Sequence, residues 1–413
     1  LVDANVELVL DETNRAWRDS GAQINGIVIA GPASANRRWR ATSLPFVILG
    51  TVDVVDSATL TIDPGAIVRF GEGAKLTTSR GYLEAVGTEE APILFTAISD
   101  DDNPERRERT DPGAGSPSPG SWGGLLINET TCGSERAYCG RVEHVIVRYT
   151  GRVNAPVIQI RQPRTLVRRS EVAFAAAVGI EVDDAEDVEL LENTIRNANG
   201  HGINAITDSS LRLIARGNTI ERANAAIAIA ANVQLDMATE ASERNTATDN
   251  NVNGVLVNGD VRSVRTWQAD DLPWVLERAV RINDGTLRIA PGAVVKGSLA
   301  SVLALTRGGL EIGAREASRD VLLTSIRDDR CSADDTAGGC DTDDTSIEPA
   351  PGDWQGVVIE RGTTGSAATI DHAEIRFGGT ISRAALSSAT PRTTIRSSQI
   401  LQSLTDGVAL AGV

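Results

Sequence analysis

The chain has 413 residues and 41% hydrophobic content, enough for a large core, but aromatics make up only 3%, so Val, Ile, Leu and Ala must fill the interior. The net charge of -16 argues against nucleic acid as a partner and against docking on anionic lipid, because both need a basic face. No apolar run reaches the ~18 residues of a membrane-spanning helix, so no membrane insertion is expected of this segment.

Lys75 and Lys296 are the only lysines among 40 basic residues, which reads as a genomic composition bias. The first residue is Leu1 and the single methionine is Met237, so the chain reads as a processed form or a fragment.

In chain order, the first strong signal is Thr59-Leu60-Thr61-Ile62-Asp63-Pro64-Gly65-Ala66-Ile67-Val68. An alternating strand, a Pro-Gly turn and a second apolar strand follow one another. Leu60, Ile62, Ile67 and Val68 are expected in the core. The unit returns as Thr286-Leu287-Arg288-Ile289-Ala290-Pro291-Gly292-Ala293-Val294-Val295. It belongs to a larger repeat with an offset close to 228 residues. Trp39 matches Trp267, Ile93-Leu94-Phe95-Thr96 matches Val321-Leu322-Leu323-Thr324, Glu143-His144 matches Asp371-His372, and Thr165 to Val182 matches Thr393 to Leu410. The reading is a tandem duplication, with module 1 at 1–228 and module 2, an incomplete copy, at 229–413.

Within a module, Asn193-Thr194-Ile195 and Asn218-Thr219-Ile220 lie 25 residues apart, and Asn245-Thr246-Ala247 follows 27 later. Short alternating stretches such as Val188–Leu191 and Ala226–Ile229 lie between them, bounded by Gly, Asn and Asp. Strand-only repeats of roughly 20–30 residues point to a solenoid. The expected fold is all-β: a right-handed parallel β-helix of two tandem modules with long loops. Only Val233–Arg244, and Glu12 to Arg18 as its counterpart, have helical character. Asp101–Pro119 and Asp328–Gly352 read as long exposed loops.

Four cysteines form two close pairs, Cys132/Cys139 and Cys331/Cys340. Each pair sits in the module where its loop is the longer one. That pattern suits two loop-stapling disulfides and an oxidising compartment. Neither spacing is CxxC and no histidine lies beside either pair, which argues against zinc.

Gly120-Ser121-Trp122-Gly123-Gly124-Leu125-Leu126-Ile127 and Gly352-Asp353-Trp354-Gln355-Gly356-Val357-Val358-Ile359 resemble the GxWxG strand of bacterial secreted right-handed β-helix surface proteins. The Pro-Gly strand pair, the acidic loop and the Arg-Tyr/Phe coil follow in the order of that family in both modules. The resemblance covers most of the chain and implies fold. It does not single out a function, because the fold hosts lyases, hydrolases and adhesins.

The sharpest polar cluster is Asp328, Asp329, Asp334, Asp335, Asp341, Asp343 and Asp344, an oxygen-rich loop suited to Ca²⁺, without EF-hand spacing. A solvated acidic loop is the plainer reading. His144 and His372 each follow an acid, but a packed coil residue is the simpler role than a general base. His201 lies on a turn. The paired tryptophans, Trp39/Trp267 and Trp122/Trp354, read as packing anchors. No catalytic residue and no cofactor other than Ca²⁺ is assigned. The expectation is a structural or adhesive protein, extracellular or on a bacterial cell surface, self-assembling by head-to-tail stacking. A carbohydrate-active enzyme or Ca²⁺-dependent binder of extracellular polysaccharide is the alternative.

Overall fold

The computed structural model describes residues 1–8, 24–100, 116–128, 132–151, 155–207, 211–237, 240–269, 272–333, 340–343, 345–361, 366–390 and 392–411. The described residues are almost entirely strand, turn and bend, and the strands pair in parallel to form a β-solenoid. The chain forms two compact units, one of 1–204 with 213–224 and one of 205–212 with 225–413.

In the first unit, three columns of short strands each run up the stack. One column contains Phe46–Ile48, Ile67–Phe70, Ile93–Ala97, Val145–Arg148, Glu171–Ala175, Thr194–Ala198 and Thr219–Glu221. A second contains Thr51–Val54, Lys75–Thr78, Leu125–Ile127, Ile158–Ile160 and Ile180–Val182. The third contains Arg37–Trp39, Thr59–Ile62, Tyr82–Val86, Gly140–Glu143, Thr165–Arg168 and Val188–Leu191.

Register converts the short alternating stretches into continuous core ladders. Ile62, Ala85, Val142, Val167 and Leu190 pair in succession, and all are buried. So do Phe46, Val68, Phe95, Val147, Val172, Ile195 and Ile220. With strands ~4.8 Å apart, identical side-chain classes stack on one another and small aliphatics suffice to fill the interior. Leu60, Ile62, Ile67 and Val68 are all buried as expected.

The Pro-Gly units form corners. The Ala66 amide donates to the Asp63 carbonyl, with Gly65 at φ 76, and the Ala293 amide donates to Ala290 with Gly292 at φ 80. Proline followed by a residue at positive φ is the type II pattern. Other corners depart from the Gly/Asn/Asp expectation. His144, Arg169 and Glu192 lie at successive corners with φ 48, 49 and 55, and Tyr149 and Phe174 at another with φ 62 and 55. Each αL residue of this kind is strained by about 1–2 kcal/mol. The coil beneath compensates: their amides donate to Arg168, Leu191, Arg216, Ala173 and, for His372 in the second unit, Arg396 carbonyls. Phe174 stacks on Tyr149, with centroids 5.1 Å apart.

In the second unit, the same parallel pairing links Val294–Gly297, Val321–Ser325, Ala373–Arg376 and Gln399–Leu401. Val302–Ile312 pairs with both Val357–Ile359 and Ala367–Asp371, so it turns a corner without breaking. Gly308 permits this at φ 115; a Cβ there would lie 2.0 Å from the Gly285 carbonyl oxygen. The helical expectation for Val233–Arg244 is corrected: among its described residues, Gln234–Asp236 is a strand and only Ala241–Glu243 forms a short 3-10 turn. Burial of Leu235 and Met237 against the coil outweighs local propensity. Its counterpart, Glu12 to Arg18, lies outside the described residues.

The arginine bias has a structural use. Arg38–Asp63, Arg161–Asp183, Arg169–Glu192, Arg196–Glu171, Arg212–Asp236 and Arg288–Glu311 each join residues 22–25 apart, one coil to the next. A guanidinium fork on a long stem spans adjacent rungs, which a point-charge ammonium does less well. Most of these pairs are exposed and individually weak.

Candidate functional site

The acidic loop leaves the Val321–Ser325 strand through a tight turn. The Asp328 amide donates to the Ser325 carbonyl, and Thr324 Oγ1 donates to Asp328 Oδ2 at 2.5 Å. Thr96 and Asp100 repeat this contact in the first unit, also at 2.5 Å, with Arg148 paired to Asp100 at 2.7 Å. The leading acids of both loops therefore build turns.

The loop then returns across the sheet as a strap. The Cys340 amide donates to the Asp329 carbonyl at 2.8 Å, and the Asn253 amide donates to the Thr342 carbonyl at 2.8 Å. Beneath the strap lies Lys296, wholly buried. Its Nζ donates to the Cys340 carbonyl at 2.8 Å and to Thr342 Oγ1 at 2.7 Å. Burial lowers its pKa to about 8, against the pull of Asp328, Asp329, Asp343 and Asp341. Burial also raises the Asp329 carboxyl, with Asp341 adding to it and Lys296 opposing. The exposed-loop expectation is thus corrected at Asp328 and Thr342, which are buried.

Of the seven acids read as a metal loop, Asp334, Asp335 and Asp344 lie outside the described residues. Asp343 Oδ1 accepts from Thr345 Oγ1 at 2.8 Å, an Asx-type turn. Among the described residues, no three His, Cys, Asp or Glu side chains converge as a metal donor set. Cys132 and Cys139 have Cα atoms 5.7 Å apart, within disulfide span. Cys331 and Cys340 flank the undescribed part of the acidic loop, and both line a cleft.

That cleft, about 640 Å³, is formed within the second unit by Arg244, Thr246, Asn253, Arg319, Ser332 and Asp341 among others. Its lining is largely polar, with Leu272 and Pro273 as apolar members and no aromatic ring among the described residues. A second cleft, about 610 Å³, lies within the first unit and is lined by His144, Glu89, Arg169, Glu171 and Glu192. Two of the carboxylates there are paired, Glu192 with Arg169 and Glu171 with Arg196.

The histidines serve the coil. Glu143 is held by Arg141 and by Arg168 rather than by His144. His372 Nδ1 lies 3.0 Å from Asp371 Oδ1. The nearby Ser398 hydroxyl is committed to backbone, donating to Arg396 and accepting from the Ala373 amide. His201 contributes its carbonyl to the Gly179 amide. The tryptophans are anchors: Trp122 Nε1 donates to the Arg148 carbonyl at 2.9 Å and Trp354 Nε1 to Arg376 at 2.8 Å, and both rings are buried. Trp39 stacks on Phe46 and Trp267 on Trp274.

Fold and site together define the class: a parallel β-solenoid with a strapped acidic loop. Protein-family models, curated proteins and solved structures were each compared with the chain, and none matches.

Proposed function

We propose that this chain is a secreted or cell-surface structural and adhesive β-solenoid, built by duplication, that stacks coil on coil with a second copy. One observation carries the reading. In the first unit, Ile180 and Val182 are fully buried, with Ile180 paired to Ile203 of the next coil, whereas their sequence matches Val408 and Leu410 are 41% and 66% exposed. Ile395 and Ile400 also lose the full burial of their matches Val167 and Val172. A ladder edge at the Val408–Leu410 strand accepts whatever coil comes next, and the reading gives that place to a second copy. The loop disulfide Cys132–Cys139 accords with an extracellular or bacterial surface location. The test is light scattering across a concentration series, with electron microscopy of the same samples. End-to-end dimers and filaments are expected; a concentration-independent monomer overturns the reading.

The cleft of the second unit favours one alternative, a surface that binds extracellular polysaccharide. Its hydroxyl, amide and guanidinium lining suits a hydroxylated ligand of a few sugar units. Binding of polygalacturonate oligosaccharides, lost on Arg319→Ala, tests it.

A further inference from the structure

We infer that Lys296 is the resident cation of the acidic loop: its ammonium group holds the Asp341–Asp343 strap on the sheet in the role a divalent ion would otherwise fill.

The placement follows from register. Lys296 pairs with Thr324 in the parallel ladder, so the two side chains share a face. Thr324 holds Asp328, which brings that carboxylate beside the ammonium. The strap then delivers a carbonyl oxygen from Cys340 and a hydroxyl oxygen from Thr342 directly to Nζ. Carbonyl, hydroxyl and carboxylate oxygens on a flexible loop are what a hard cation needs. They equally satisfy an ammonium group, which carries three donors and no acceptor.

Charge supports the geometry. A lysine buried in apolar surroundings can fall to a pKa of about 5–6 and lose its charge at neutral pH. Here Asp328, Asp329, Asp343 and Asp341 oppose burial, and the value stays at about 8. The group is therefore mostly protonated at pH 7, and the loop carries its own counter-charge.

Residue choice points the same way. In a chain with only two lysines among 40 basic residues, the position under this strap is a lysine, and its match in the first module is Arg69. A compact point charge fits beneath a strap that closes within 2.8 Å, where a planar guanidinium fork would hold the strap off.

The test is amide exchange of the full chain at Cys340 and Asn253, in EDTA and in millimolar Ca²⁺, for the native sequence and for Lys296→Met. The native protein should protect both amides equally in the two buffers. Lys296→Met should speed exchange at both by about tenfold in EDTA, with core amides such as Val147 unchanged as the folding control. Slowing of the native loop by Ca²⁺ overturns the inference, as does native-like protection in Lys296→Met. If the variant fails to fold, the EDTA and Ca²⁺ comparison on the native chain still decides, and it is independent of whether the protein self-assembles.

Discussion

Trp354 lies directly over Gly297: a Cβ at that position would come within 2.7 Å of the indole carbons. The matching residue in the first unit, Phe70, instead stacks on Trp122 with centroids 3.9 Å apart. The same tryptophan position is thus packed in two ways, by a ring in one unit and by backbone in the other. Gly297→Ala should destabilise the second unit by about 1–3 kcal/mol, because the buried indole has no room to retreat. Urea unfolding followed by tryptophan fluorescence measures this; an unchanged midpoint would show that the ring relaxes freely.

The repeated asparagines form a buried ladder. Asn193 Nδ2 donates to the Val167 carbonyl and to Asn218 Oδ1, Asn193 Oδ1 accepts from the Ser170 amide, and Asn218 Nδ2 donates to the Leu190 carbonyl. Asn193→Ala leaves buried backbone groups of two neighbouring coils without partners. A loss of about 2–4 kcal/mol is expected, since each orphaned group costs ~1–3 kcal/mol. Asn193→Asp should be no better, because the acid lacks the amide donors. Thermal melts of the two variants would contradict this if either matched the native chain.

Lys296 gives a pH dependence of defined sign. Its pKa is about 8 in the folded chain and 10.5 as a free side chain. Between those values the unfolded chain keeps the proton and the folded chain does not, so stability rises with pH. This pH term is the cost of burying the ammonium that the strap oxygens and nearby carboxylates only partly offset: it is present in full below about 8 and gone above 10.5, a span worth about 3 kcal/mol. Asp329 acts only in the acid range, where its raised carboxyl favours the fold at low pH. Denaturation midpoints from pH 7 to 10.5 should climb for the native chain relative to Lys296→Met. A difference that stays flat or shrinks with pH would show that burial does not lower the Lys296 pKa, whereas the strap role is tested by amide exchange.

Leu410→Arg and Val408→Asp place charge on the uncovered rim. Both should abolish end-to-end association with little change in melting temperature, since the side chains are already exposed in the isolated chain. Sedimentation velocity distinguishes the cases; association surviving both changes would place the contact elsewhere.

The exchange experiment on Cys340 and Asn253 adds an independent readout of the strap, because a loosened loop opens locally without unfolding the coils.

The alternating stretches around Leu60, Val188 and Ala226 by themselves determined the solenoid. A two-residue period, turn residues at short intervals and a recurring length leave little else that such a chain can build. The Pro-Gly corners and the anchoring role of Trp122 and Trp354 were legible for the same reason: each is a local pattern whose partner lies at a regular distance in sequence. Tertiary structure alone decided three matters. Bulky residues such as Arg169 and Glu192 occupy αL corners because the carbonyls of the next coil compensate the strain, a term invisible in local propensity. The arginine excess, read from sequence as composition, became coil-to-coil ion pairing once residues 22–25 apart were stacked. Lys296 lies 32 residues before Asp328 and 44 before Cys340. Only the stacking of one coil on another brings that ammonium under the strap, because the energy of a buried charge depends on what surrounds it in space.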